Sequence, residues 1–190
     1  MLHEKLMSNN KIIARHKELL KAKKNLESRI EIANYSTLPE ELEVLTNDKK
    51  KDVRYEIAIN PYTPAKLLEK LSGDRIANVR KGVARNTNVP ISLLDMLAID
   101  KDADVRAATA KSSRTTASAL KKLAVDQDYG VSLDGMRVDG GVRGLTARNP
   151  NTPTSALEKL ATDEEDCVRK QAARNPSMPS LVLAKLSTDE

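Results

Sequence analysis

A 26-residue phrase returns six times along this chain, opening at Asn34, Asn60, Asn86, Ser112, Asn149 and Asn175. Every step is 26 residues except the one from Ser112 to Asn149, which is 37. A fixed period of this size restricts the fold to a stacked array, because a unit this short cannot bury its own apolar face and must share a core with its neighbours.

Aligned, the units separate into columns. Leucine stands at the ninth position (Leu42, Leu68, Leu94, Leu120, Leu157, Leu183) and at the twelfth (Leu45, Leu71, Leu97, Leu123, Leu160, Leu186). Residues three apart share one helix face, so this stretch predicts a short helix. Prolines precede it at Pro39, Pro64, Pro90, Pro153 and Pro179, and Thr63 and Thr152 stand just before theirs. That pairing reads as an N-cap threonine followed by proline at the first helical position. An aspartate then recurs at Asp48, Asp74, Asp100, Asp126, Asp163 and Asp189, ahead of a second apolar segment headed by Val53, Val79, Val105, Val131 and Val168. Alanines five residues on (Ala58, Ala84, Ala110, Ala173) let neighbouring helices approach, and the Asn-Pro pairs at 60, 149 and 175 end the segment. The chain has no Phe or Trp, so Leu, Ile, Val and Ala must build the interior, which suits small packed helices better than a sheet sandwich.

These columns carry a resemblance. Residues 60–85 (NPYTPAKLLEKLSGDRIANVRKGVAR) and 149–174 (NPNTPTSALEKLATDEEDCVRKQAAR) resemble the leucine-rich repeat variant family, a HEAT-like helical repeat, with proline, paired leucines, aspartate and a Val-Arg step in that order. The resemblance runs from about Ala33 to Glu190. It implies an all-α, right-handed solenoid of about six two-helix units in which α and 3₁₀ helices alternate. One known architecture of the family places a cysteine-rich iron–sulfur segment before the repeats; this chain's one cysteine, Cys167, excludes a four-cysteine cluster within it.

The charge is unevenly shared. Residues 1–32 hold eight Lys or Arg against four acids, whereas residues 33–190 hold 24 against 23. The segment from Lys11 to Ile32 reads as one helix, capped by Ser8 or Asn9, with Ile12, Ile13, Leu19, Leu20, Leu26 and Ile30 on one stripe. We therefore divide the chain into an N-terminal basic capping helix over 1–32 and repeats over 33–190. A cap with a solvated lysine face is the plain reading; Lys17, Lys21, Lys23 and Lys24 binding nucleic acid or an acidic partner is the other.

Three features compete for function. Asp48 and Arg54, Asp74 and Arg80, Asp100 and Arg106, and Asp163 and Arg169 stand six apart in unit after unit. Catalysis needs one constellation, so a pair that recurs reads as a structural ladder of charge-assisted hydrogen bonds. A second basic column (Arg85, Lys111, Arg148, Arg174, with Lys81 and Lys170 one turn earlier) reads either as helix capping or as a binding stripe. The third feature is the broken period: Ser132 replaces the expected arginine, and a late Val142-Arg143 step follows an eleven-residue insertion, placed at 131–141. Its Leu133, Asp134, Met136 and Arg137 suggest a small hairpin around Asp134-Gly135, read either as a binding loop or as a tolerated, neutral excursion, and Asp139-Gly140-Gly141 reads as a flexible return.

Other chemistry is thinly represented. His3 and His16 lie far from Cys167 in sequence, no glycine-rich phosphate loop follows a strand, and Asp126, Asp128, Asp134 and Asp139 lack the EF-hand pattern. The expectation is a non-catalytic scaffold, without metal or cofactor, that binds another protein; the alternative is a nucleic-acid-binding repeat protein using the basic stripe and N-terminal helix. No apolar run approaches the roughly 18 residues of a membrane span, and one cysteine fits a reducing cytoplasm, where we expect the protein. Leu181, Val182, Leu183 and Leu186 at the end of the array read either as a self-capped end, as an oligomer contact or as the edge of a longer array.

Overall fold

The computed structural model describes residues 25–128 and 140–186, with side chains as far as residue 183. Every regular element among these residues is an α-helix. In chain order they are α1 (Leu26–Tyr35), α2 (Pro39–Leu45), α3 (Lys51–Ile59), α4 (Ala65–Ser72), α5 (Ala77–Arg85), α6 (Ile91–Leu97), α7 (Ala103–Lys111), α8 (Ala117–Leu123), α9 (Gly141–Arg148), α10 (Thr154–Leu160), α11 (Asp166–Ala173) and α12 (Ser180–Leu186). The proline–leucine stretches form the even-numbered helices and the valine-headed stretches the odd-numbered ones. The odd-numbered helices pack side by side in an unbroken row, α1 on α3 through to α9 on α11.

The paired leucines fill the space between the layers. Leu42, Leu68, Leu94, Leu120 and Leu157 are fully buried, as are the valines Val53, Val79, Val105, Val142 and Val168. Each fully buried aliphatic side chain contributes about 1.5–3 kcal/mol, and each is covered partly by the next unit, so folding and stacking are one event. Close approach within the row has a local requirement at Gly82. A Cβ there would stand 2.9 Å from the Ala58 Cβ and 3.2 Å from the Tyr55 ring, so α5 rests on α3 with no room for a side chain.

Several boundaries differ from the sequence reading. The helix read from Lys11 to Ile32 is interrupted at Asn25, whose extended backbone and side chain cap α1 by accepting from the Glu27 N–H. Helix α1 then runs on to Tyr35 and occupies the place of an odd-numbered repeat helix; residues 11–24 lie outside the described residues. Thr63 and Thr152 are not N-caps: Pro64 and Pro153 hold the cap positions of α4 and α10. The buried threonine hydroxyls turn back instead, donating to the carbonyls of Ile57 and Thr146 at 2.6 and 2.5 Å, as Thr115 does to Thr109. Where 3₁₀ helices were expected, every helix among the described residues is α, and i→i+3 bonds occur at turns and helix ends such as Leu67 N–H to Pro64 O and Val79 N–H to Ile76 O.

The insertion ends one residue earlier than expected. Gly140 takes a left-handed φ of 78° as the N-cap of α9, where a Cβ would meet Val168 Cγ2 at 2.5 Å. It is a fixed corner rather than a flexible return. Residues 129–139, with the hairpin-like turn and Leu133, Asp134, Met136 and Arg137, lie outside the described residues. The place Val131 holds by spacing is taken by Val142, and α9 packs on α7 as adjacent units do elsewhere.

Asparagines that open the phrase join one unit to the next. The Asn86 amide donates to the carbonyls of Ala58 and Asn60, both at 2.8 Å, while its own oxygen accepts from the Asn88 N–H. Asn60, Asn149 and Asn175 repeat this arrangement on Ala33, Ala110 and Ala147 and the neighbouring carbonyls. These are helix-end carbonyls without an intrahelical partner, and the amide of the following unit satisfies them. Asn86→Ala is expected to lower the stability measured by urea denaturation by about 1–3 kcal/mol, because the buried Ala58 carbonyl loses its donor and that of Asn60 keeps only the Thr63 N–H. Asn88→Ala, which removes an exposed bond to the Pro61 carbonyl, should cost less than about 1 kcal/mol.

Candidate functional site

The Asp and Arg columns meet across units, not within them. Arg54 grips Asp74, 20 residues on, with Nε and Nη2 at 2.6 and 3.0 Å, while its Nη1 donates to the carbonyl of Asp48 in its own unit at 2.7 Å. Arg80 holds Asp100 and the Asp74 carbonyl in the same way, and Arg106 holds Asp126 and the Asp100 carbonyl. Each aspartate also accepts a backbone N–H two residues ahead, which shapes the turn into the odd-numbered helix.

Two rungs escaped the spacing argument. Arg29 in α1 pairs with Asp48 at 2.7 Å, and Arg143 pairs with Asp163 at 2.7 Å while reaching back to the Asp126 carbonyl. The late Val-Arg step therefore restores the ladder after the insertion. The signal was present in the echo between residues 29–34 and 54–58, and in Val142-Arg143 itself. Arg169 bonds the carbonyls of Asp163 and Glu164, and its counterpart Asp189 lies outside the described residues.

Burial pushes the Asp74 and Asp100 carboxyls up, but the bonds from Arg54 and Arg80 and the N–H groups of Ile76 and Asp102 outweigh it. Both carboxyls sit below the ordinary carboxylate range. The same bonds raise the guanidinium pKa of Arg54 and Arg80.

With these cations committed to stacking, the second basic column divides. Lys81 is buried, with its Nζ 2.7 Å from Asp104 across the α5–α7 interface. Lys170 pairs with Asp166 on its own helix at 2.6 Å. Lys81 is thus withdrawn from the stripe, whereas Lys170 stays exposed beside Asp166. Arg85, Lys111, Arg148 and Arg174 are exposed at the ends of their odd-numbered helices, and their side chains have no ion pair among the described residues. They are the part of the column the fold leaves unused, apart from the modest benefit of a cation at a helix C-terminus.

One further residue belongs with them. Arg114 donates from Nη1 to the Thr87 carbonyl at 2.7 Å and lines a pocket of about 320 Å³ together with Arg85, Lys111 and Ser112. The sequence reading passed over Arg114, because its column holds no other cation; Asn88, Asn151 and Ser177 there make the equivalent bond, donating to the carbonyls of Pro61, Ser113 and Pro150. Among the described residues no cluster of three or more His, Cys, Asp or Glu could hold a metal ion, and no helix is long and apolar enough to cross a membrane. Cys167 is a half-buried free thiol.

The architecture defined by these rungs is a helical repeat solenoid. It is similar to a solved structure described as a leucine-rich repeat variant with a novel repetitive protein structural motif, at 21% identity and a TM-score of 0.52, over 90% of this chain and 76% of that one. At this identity the likeness is one of fold. No family model and no curated protein matches the sequence.

The ladder makes a signed prediction. A carboxyl whose pKa is depressed by folding contributes stability that is present above its unfolded value, about 4, and is lost as pH falls through the folded value. The urea midpoint should therefore hold steady from neutral pH to about 5 and fall below about 4, with Asp74→Asn less stable at neutral pH and less sensitive to acid. Arg54→Ala, which strands the Asp74 carboxylate, should cost on the order of 3–5 kcal/mol at pH 7.

Proposed function

We propose that the chain is a non-catalytic repeat scaffold that binds an acidic surface of another protein along Arg85, Lys111, Arg148 and Arg174. The observation that carries this reading is the contrast between the two cation columns. Five ladder arginines, from Arg29 to Arg143, are held in ion pairs with the following unit, whereas four cations in one register stand exposed and unpaired. A rigid row of cations complements a row of carboxylates and raises the rate and selectivity of encounter.

The regular cation spacing also supports a second reading, in which the stripe follows a nucleic-acid backbone. The repeat region is near neutral, and the whole chain has four aromatic residues, all tyrosine, so bases would find few stacking platforms. These points favour a protein partner.

Full-length protein used as bait in an extract of its own host cells, beside the variant R85E/K111E/R148E/R174E, separates the two. The expected outcome is a nuclease-resistant protein partner captured by the native chain and lost from the variant, whose circular dichroism is unchanged. Capture that disappears with nuclease, and direct binding of nucleic acid that falls steeply between about 50 and 200 mM salt, would establish the second reading. Capture that survives charge reversal would contradict both.

A further inference from the structure

The asparagine column is broken once, at Ser112. In the units on either side, the Asn86 amide donates to the Ala58 and Asn60 carbonyls and the Asn149 amide to those of Ala110 and Ser112. Ser112 carries no amide to place on the matching carbonyls of Ala84 and Asn86; its hydroxyl accepts the Arg114 N–H at 3.4 Å instead. Among the described residues the Ala84 carbonyl, at the end of α5, receives no hydrogen bond, and that of Asn86 receives only the Val89 N–H.

The pocket of about 320 Å³ lies at this break, lined by Ala84, Asn86 and Ser112 and rimmed by Arg85, Lys111 and Arg114. Its floor and rim ask for opposite chemistries. The floor is the C-terminal end of a helix, with carbonyls that want N–H donors and a partial negative charge that disfavours a bare anion. The rim offers three cations, two of them unpaired and the third with one guanidinium nitrogen on the Thr87 carbonyl. A carboxamide flanked by carboxylates satisfies both.

We propose that this notch is the docking point of a partner segment that inserts an Asn or Gln side chain between acidic residues, its amide taking the place the Ser112 position leaves empty. The proposal rests on the reading of the stripe as a protein-binding surface and supplies that surface with a point of register: one carboxamide pocket along a row of otherwise sequence-tolerant charge contacts.

The test uses ¹⁵N-labelled full-length protein titrated with acetyl-Glu-Asn-Glu-N-methylamide, with acetyl-Glu-Asp-Glu-N-methylamide as the near-isosteric control lacking the amide donors. The asparagine peptide is expected to shift the backbone amides of Asn86, Thr87 and residues 112–114, and to bind about tenfold or more tightly than the control, the loss usual when a site built for a donor is left unpaired. Ser112→Asn supplies the carboxamide from the chain itself without changing any charge, and should abolish these shifts while keeping the native spectrum elsewhere. Equal binding of the two peptides, binding that survives in Ser112→Asn, saturation of the same residues by inorganic phosphate as readily as by peptide, or no shift at millimolar peptide would each overturn the notch. The stripe stands apart from this outcome: if the peptide fails but charge reversal still abolishes partner capture, the scaffold reading holds without the notch. If capture survives charge reversal, the scaffold reading itself fails.

Discussion

Each interface in this array buries an arginine whose guanidinium faces two units at once. In Arg54, Arg80, Arg106 and Arg143 Nη1 donates to a carbonyl of the arginine's own unit, and the other edge takes the carboxylate of the following unit, as Arg80 does between Asp74 and Asp100. A charge taken out of water is stable there only while its partner is in place, so neither unit can leave without stranding an ion. The leucines and valines supply most of the driving force, but they are non-directional. Buried pairs of this geometry, with the asparagine amides on the opposite end of the odd-numbered helices, fix the register in which the apolar faces meet.

The interface between α5 and α7 is built differently. It keeps the Arg80–Asp100 rung but has Ser112 where its neighbours have asparagine, and it carries the pair of buried Lys81 and half-buried Asp104. One polar link is missing at this interface and another is added. The array is therefore regular in its apolar core and individual in its polar contacts, and the individual contacts gather where the second unit meets the third.

How much of this was legible follows from periodicity. The leucine, valine and alanine columns announce a two-helix unit because the same side chains meet the same neighbours in every repeat. The Asp and Arg columns announce a ladder between neighbouring repeats for the same reason, and the structure places each arginine's carboxylate 20 residues on, in the next unit. Thr63 and Thr152 misled because a threonine before a proline is a good N-cap on local grounds, and only the packed loop shows the hydroxyl turned towards the preceding helix. Lys81 misled because helical spacing places it one turn from Arg85, whereas its burial depends on Asp104, a residue of a different unit. The phrase showed asparagine at its opening and serine at 112, but not that this amide bridges units. Local rules thus recovered what repeats, and tertiary contacts decided which members of a column were left over.

The account's central claim is that units are coupled through these polar rungs. Hydrogen exchange in increasing urea, followed peptide by peptide, tests it at the interface that lacks an asparagine. In the native chain α1 to α11 should share one urea midpoint; in Arg80→Ala the block from α1 to α5 should separate from the block from α7 to α11, giving two midpoints. A single midpoint in Arg80→Ala, merely shifted to lower urea, would mean that apolar packing alone carries the coupling, and would contradict the account.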